Sequence, residues 1–217
     1  MTLGAFDAEA RVHGLTLRGA LHPPPDATLP ADTRTLILLG PDEPRFWPMF
    51  SGAPEFLDGA ADPLDRWSKR VIGTLAREWG GTAIFPSDGP PYPPFIAWAQ
   101  GCATIWASPV GLLVHHEAGL WVSFRGAVAL PDRHEIPAAI RPCDRCAGQP
   151  CTTACPVGAL APGQNYDVGA CRAHVASDAG RACREIGCLA RRACPASAAL
   201  QRPDAQAAFH MAAFLGR

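Results

Sequence analysis

The cysteines of this chain are crowded into one end of it. Residues 1–138 hold one, Cys102, whereas residues 139–217 hold eight: Cys143, Cys146, Cys151, Cys155, Cys171, Cys183, Cys188 and Cys194. The same segment has many alanines, short helical stretches, little aromatic content and no convincing strand longer than a few residues. A segment of that size and composition does not fold readily on its apolar core alone, and small domains of this kind depend on metals or cross-links. The stretch from Pro131 to Pro142 carries three prolines and several charges. It marks a boundary, so the expectation is two domains, 1–138 and 139–217.

The compartment decides what the thiols are for. The N-terminus from Met1 to Arg11 carries Asp7 and Glu9 and lacks an apolar run, so it does not read as a secretory signal. No apolar stretch reaches the roughly 18 residues of a membrane span. A cytoplasmic location is therefore expected, where cysteines are metal ligands or redox groups more often than structural disulfides. The net charge of −1 gives no electrostatic reason to expect nucleic acid or an anionic membrane as partner.

The first run is Cys143-x2-Cys146-x4-Cys151-x3-Cys155-Pro156. It resembles the bacterial ferredoxin run C-x2-C-x2-C-x3-C-P, with a longer middle gap. Close spacing lets one loop wrap a cubane with its amides turned inward, and the final Cys-Pro redirects the chain because proline has no amide hydrogen. In two-cluster ferredoxins the fourth Cys of the run ligates the other cluster. That rule assigns Cys143, Cys146 and Cys151 to one [4Fe–4S] cluster, completed by Cys194, which is itself followed by Pro195. Cys155 then goes to a second [4Fe–4S] cluster with Cys171, Cys183 and Cys188. All eight are used. The rival reading is zinc, because Cys143-x2-Cys146 with another pair could build a tetrahedral all-thiolate site; disulfides or free thiols are a third. Both Cys-Pro endings favour iron–sulfur.

The first domain reads as α/β. Leu15 to Leu21 suggests a short strand closed by Pro23-Pro24-Pro25, and Thr35 to Leu39 a buried one. Asp62-Pro63 opens a helix, with Asp62 as cap and Leu64, Trp67, Val71, Ile72 and Leu75 on one face. Gly80-Gly81 stops it, and Thr82 to Phe85 is the next strand. Phe95 to Gln100 suggests a short helix. Gly111 to His115 and Trp121 to Leu130 read as a hairpin turning at Glu117-Ala118-Gly119. The tryptophans read as core, and Cys102 as a buried apolar cysteine.

The cysteine array looks like the ferredoxin half of epoxyqueuosine reductases and of corrinoid-dependent reductive dehalogenases. Cys155-Pro156-Val157-Gly158-Ala159-Leu160 is similar to the CPTGAI of the first family, and the lone Cys171 sits where those enzymes place an isolated ligand. Asp62-Pro-Leu-Asp-Arg-Trp67 and Gly111 to Pro131 are similar to the cobalamin-processing family defective in combined methylmalonic aciduria and homocystinuria. These resemblances imply an α+β protein, with a nitroreductase-like α/β domain followed by a small, mainly helical ferredoxin-like domain. They also imply cobalamin as a further cofactor, with His115, His116 and Arg125 as candidate contacts to it. Ser87-Asp88-Gly89-Pro90 stands where epoxyqueuosine reductases carry a proton-donating Asp, which makes Asp88 the candidate general acid. For Asp88 the plainer reading is a turn former, and for Arg125 a salt bridge. For the histidines it is a solvated or packed role.

Taken together, the sequence points to an iron–sulfur electron-transfer protein, oxidoreductase in character if it is an enzyme. It would deliver electrons from two [4Fe–4S] clusters to cobalt, with a ferredoxin, flavodoxin or flavoprotein as donor. Two alternatives stand beside it: a simple ferredoxin-type carrier or redox subunit without a substrate, and a zinc-stabilised binding module.

Overall fold

The structure is a computed structural model and describes residues 2–24 and 28–216; Pro25, at the end of the proline run after the first strand, lies outside them. The protein is α+β, with a small antiparallel sheet and several helices. Among the described residues, no helix is long and apolar enough to cross a membrane. The chain divides into two compact units. Unit 1 comprises Met1–Ile105 and Ser123–Ala139, and unit 2 comprises Trp106–Val122 and Ile140–Arg217. The sequence boundary at 138/139 falls beside the third crossing point, between Ala139 and Ile140. The excursion of Trp106–Val122 into unit 2 has no counterpart in that reading.

Unit 1 is built on a four-stranded antiparallel sheet. Its strands are β1 (Leu15–Leu21), β2 (Thr35–Pro41), β3 (Thr82–Ile84) and β6 (Gly126–Leu130), in the order β1-β2-β6-β3. The apolar run of β2 is fully enclosed, with Leu36, Ile37, Leu38 and Leu39 at 0% exposure. Each such side chain contributes about 1.5–3 kcal/mol of transfer free energy. Helix α4 (Pro63–Glu78) buries Leu64, Trp67, Val71, Ile72 and Leu75, the face expected from their spacing. Gly126 lets it come close, since a Cβ there would stand 2.9 Å from Ile72 Cδ1. Asp62 departs from expectation. Its backbone is left-handed, with φ 51°, and its side chain makes no capping hydrogen bond.

Helix α1 (Leu3–Val12) is tied to β1 through Asp7. Its carboxylate accepts the Leu17 N–H and the Thr16 hydroxyl, both at 2.7 Å. On β1, Arg18 is buried together with Glu43, 3.3 Å away, and also donates to the Pro41 carbonyl. Helix α5 (Phe95–Gln100) is followed by Cys102, which packs against Gly19. Burial pushes the Cys102 thiol up to about 12, and the thiol donates to the Trp98 carbonyl.

The expected hairpin between Gly111–His115 and Trp121–Leu130 does not form. Strand β5 (Leu113–His115) pairs with β4 (Ile105–Ala107) in a separate two-stranded sheet, while β6 pairs with β2 and β3. The small, fully buried residues of β6, Gly126 to Leu130, suit an interior position in the sheet. The turn at Glu117-Ala118-Gly119 is real, but it closes on itself through a His115–Gly119 bridge.

Unit 2 is mainly helical. It contains α6 (Val168–Ala176), α7 (Arg181–Ile186), α8 (Leu189–Arg192) and α9 (Asp204–Leu215), linked by 3-10 turns at Pro142–Arg145, Pro150–Thr152, Asp178–Gly180 and Pro195–Leu200. Its apolar centre gathers Val110, Val114 and Leu120 with Leu160, Ala190 and the buried Cys151 and Cys194.

Candidate metal centres

The first four thiols are carried on three proline-started turns. Cys143 follows Pro142, Cys151 follows Pro150, and Cys194 immediately precedes Pro195. Proline at the first position of a helical turn gives up a hydrogen bond that would be unmade anyway and fixes φ for the turn. Cys146 ends the first turn, its amide donating to the Cys143 carbonyl at 3.2 Å. Cys143, Cys146, Cys151 and Cys194 together line one cavity of about 320 Å3. Burial pushes the Cys143 thiol up, Arg141 opposes this, and Cys194 and Cys146 add to the rise. Burial likewise raises the Cys151 thiol, followed by Cys194, Cys143 and Cys146.

The second set is carried differently. Cys155 lies in the loop beyond the second proline-started turn, Cys171 within α6, Cys183 within α7 and Cys188 at the start of α8. Asp167 caps α6 by accepting the Ala170 N–H at 2.9 Å, which fixes the turn that presents Cys171. Gly187, at φ 84°, lets the chain reverse between Cys183 and Cys188 where a Cβ would stand 2.8 Å from the Trp121 ring. Burial raises the Cys171 thiol first; the Tyr166 hydroxyl, hydrogen-bonded to it, pulls the other way, and Cys188 and Cys155 push it up again. The Cys183 thiol is raised by burial, lowered by the Leu189 N–H, and raised by Cys188, Cys171 and Cys155.

Cys194 and Cys146 act on Cys143, and Cys194, Cys143 and Cys146 on Cys151, whereas Cys188 and Cys155 act on Cys171, and Cys188, Cys171 and Cys155 on Cys183. None of the nine cysteines forms a disulfide. Among the described residues, no group of three or more His, Cys, Asp or Glu side chains is gathered to hold a metal ion. The first set surrounds a space instead.

The other candidates are placed as follows. His115 is buried and its Nδ1 accepts two amides, Glu117 N–H at 3.1 Å and Ala118 N–H at 3.0 Å, so that nitrogen serves the turn. His116 lines the cavity of the first thiol set, 4.2 Å from His115 between ring centres. Both histidines belong to unit 2, while Arg125 and Asp88 belong to unit 1. Asp88 accepts the Phe85 N–H at 2.8 Å and pairs with Lys69 at 3.2 Å, which makes it the closing residue of a turn. Arg125 donates its amide to the Leu39 carbonyl, and its Nε is buried with no hydrogen-bond partner. Burial lowers the Arg125 guanidinium, and Asp65 opposes this.

The sequence reading gave no role to Tyr166 or Ser197. Tyr166 lies five residues before Cys171, and its hydroxyl reaches that thiol. Ser197 accepts the Leu120 N–H and donates to the Ala118 carbonyl, both at 3.1 Å. No motif announces either contact, because each depends on a turn that only the folded chain places. Arg191 donates to the Leu120 carbonyl. The chain matches no protein-family model, no curated protein and no solved structure.

Proposed function

We propose that this chain is an iron–sulfur electron-transfer protein holding two [4Fe–4S] clusters, one on Cys143, Cys146, Cys151 and Cys194, the other on Cys155, Cys171, Cys183 and Cys188. The supporting observation is that Cys143, Cys146, Cys151 and Cys194 line one cavity, while Cys188, Cys171 and Cys155 all act on the Cys183 thiol. Clustered thiols that burial keeps protonated repel one another once ionised, and a cationic iron core removes that penalty. When bound, each cluster supplies one-electron redox chemistry. The chain's own part is to hold the thiolates, exclude water with Val114, Leu120 and Leu160, and fix the ligand loops with proline-started turns. On this reading unit 2 is a ferredoxin-like module and unit 1 a nitroreductase-like one. The electron donor is a ferredoxin, a flavodoxin or a flavoprotein.

Protein purified without oxygen should carry about eight irons and eight acid-labile sulfides per chain. It should show a broad visible absorbance that dithionite bleaches. Stoichiometric zinc without sulfide would overturn the reading in favour of a zinc-stabilised binding module.

A corrinoid acceptor is the second reading, and the observation that favours it is the buried, partnerless Nε of Arg125, a group suited to an amide or phosphate oxygen. Spectral titration of the anaerobic protein with cobalamins tests it. Saturable binding that Arg125→Leu weakens is expected, and absence of saturable binding leaves the simple electron carrier.

A further inference from the structure

Arg191 is a partly buried cation without a carboxylate. Nearby in the chain, Arg181 pairs with Glu185 at 2.7 Å and Arg192 with Asp204 at 2.6 Å, whereas Arg191 forms no ion pair among the described residues. What holds it is the Leu120 carbonyl, to which its Nη1 donates. A guanidinium drawn out of water needs an anion beside it. Burial disfavours its charge, and the two groups that favour it are Cys188 and Tyr166.

The backbone explains this arrangement. Cys188 stands at the start of α8, where its carbonyl accepts the Arg192 N–H at 3.0 Å, so Arg191 lies about one helical turn from it. Tyr166 directly precedes Asp167, whose N–H donates to the Ala159 carbonyl at 3.0 Å and whose carbonyl accepts the Cys171 N–H at 3.1 Å. That turn brings the Tyr166 hydroxyl to the Cys171 thiol. Cys171, Cys188 and Arg191 all act on Tyr166. One phenol, one guanidinium and two thiols of the second set therefore form a single cluster of groups. We propose that Tyr166 and Arg191 are positioning residues of the second cluster, the phenol donating a hydrogen bond to the Cys171 sulfur and the guanidinium supplying the counter-charge beside Cys188, and that together they raise its reduction potential. This rests on the iron–sulfur reading. Reduction adds one negative charge to a cluster, so a hydrogen-bond donor and a fixed cation stabilise the reduced form more than the oxidised one.

The test is a redox titration of the anaerobic, loaded full chain, followed by electron paramagnetic resonance, on Tyr166→Phe, Arg191→Met and Arg191→Lys. Tyr166→Phe and Arg191→Met are each expected to shift the same cluster about tenfold toward the oxidised form, a fall of about 59 mV for a one-electron couple. The other potential should stay in place. Arg191→Lys, which keeps the charge, should recover most of the loss. Cys151→Ala and Cys155→Ala, which on the iron–sulfur reading each retain a single cluster, assign the affected potential. Tyr166→Phe must lower it in the Cys151→Ala background and move nothing in the Cys155→Ala background. Should Arg191→Met fail to take up iron, Tyr166→Phe carries the test, because Tyr166 is 37% exposed and supports no core. Full iron content with both potentials unchanged, with both moved alike, or with only the first cluster's moved, overturns the proposal and leaves the clusters standing. A wild-type protein without iron and sulfide removes the reading beneath it as well.

Discussion

Gly119 and Ser197 are packed so closely that no side chain fits between them. A Cβ on Gly119 would overlap the Ser197 hydroxyl, stand 2.7 Å from the Ser197 nitrogen and lie 3.0 Å from Cys194 Sγ. Gly119 also has φ 54°, a left-handed conformation that L side chains resist. Gly119→Ala should therefore cost unit 2 about 2–4 kcal/mol. Ser197→Ala should cost about 1–3 kcal/mol by stripping partners from the Leu120 N–H and the Ala118 carbonyl. Chemical denaturation of the two variants, with iron content measured alongside, checks both values.

Cys151 and Cys155 are four residues apart, and the proposed iron–sulfur reading assigns them to different clusters. On that reading Cys151→Ala should remove the first cluster and leave the second, and Cys155→Ala should do the reverse. Each single variant should retain about half of the wild-type iron, and the double variant none. Mössbauer spectroscopy distinguishes the loss of one whole cluster from the damage of both.

Cys102 has a thiol that burial pushes up to about 12, against 9.0 for a free cysteine. In the native protein it should resist alkylation at pH 8 and react once the chain unfolds. Its raised value also couples stability to pH. The contribution is complete below pH 9, where the unfolded thiol is protonated too. Above that pH the unfolded chain releases a proton that the native chain keeps, so stability falls by about 1.4 kcal/mol per pH unit until pH approaches 12. Cys102→Ala should be less steep than wild type over that window when urea midpoints are compared.

Glu43 and Arg18 form a pair whose side chains are 2% and 4% exposed, at 3.3 Å. Glu43→Gln leaves the Arg18 charge enclosed without its counter-ion, and unit 1 should lose about 3–5 kcal/mol. Removing both charges together, as Glu43→Met with Arg18→Met, should cost less than the sum of the single changes. Equilibrium unfolding of the four proteins gives the coupling directly.

Local features of this chain were legible in its sequence. The apolar run of β2, the helical spacing of α4 and the extent of α5 were all read within a few residues of their structural bounds. Pairing between distant segments was not. The runs now seen as β5 and β6 are both apolar and extended, and nothing in their composition says that one joins Ile105–Ala107 while the other enters the sheet between β2 and β3. Asp62 had the composition of a cap, yet its left-handed backbone leaves its side chain without the capping bond.

The detour of Trp106–Val122 through unit 2 bears on how this protein can be dissected. Val110, Val114 and Leu120, which cover Cys151 and Cys194, all lie upstream of the strand that completes the sheet of unit 1. A fragment starting at Ile140 would own every one of the eight thiols and lack Val110, Val114 and Leu120, which pack with Cys151 and Cys194. The cysteine-rich segment is thus no detachable cassette, and a cut at the obvious proline-rich seam would part Cys151 and Cys194 from apolar side chains packed with them.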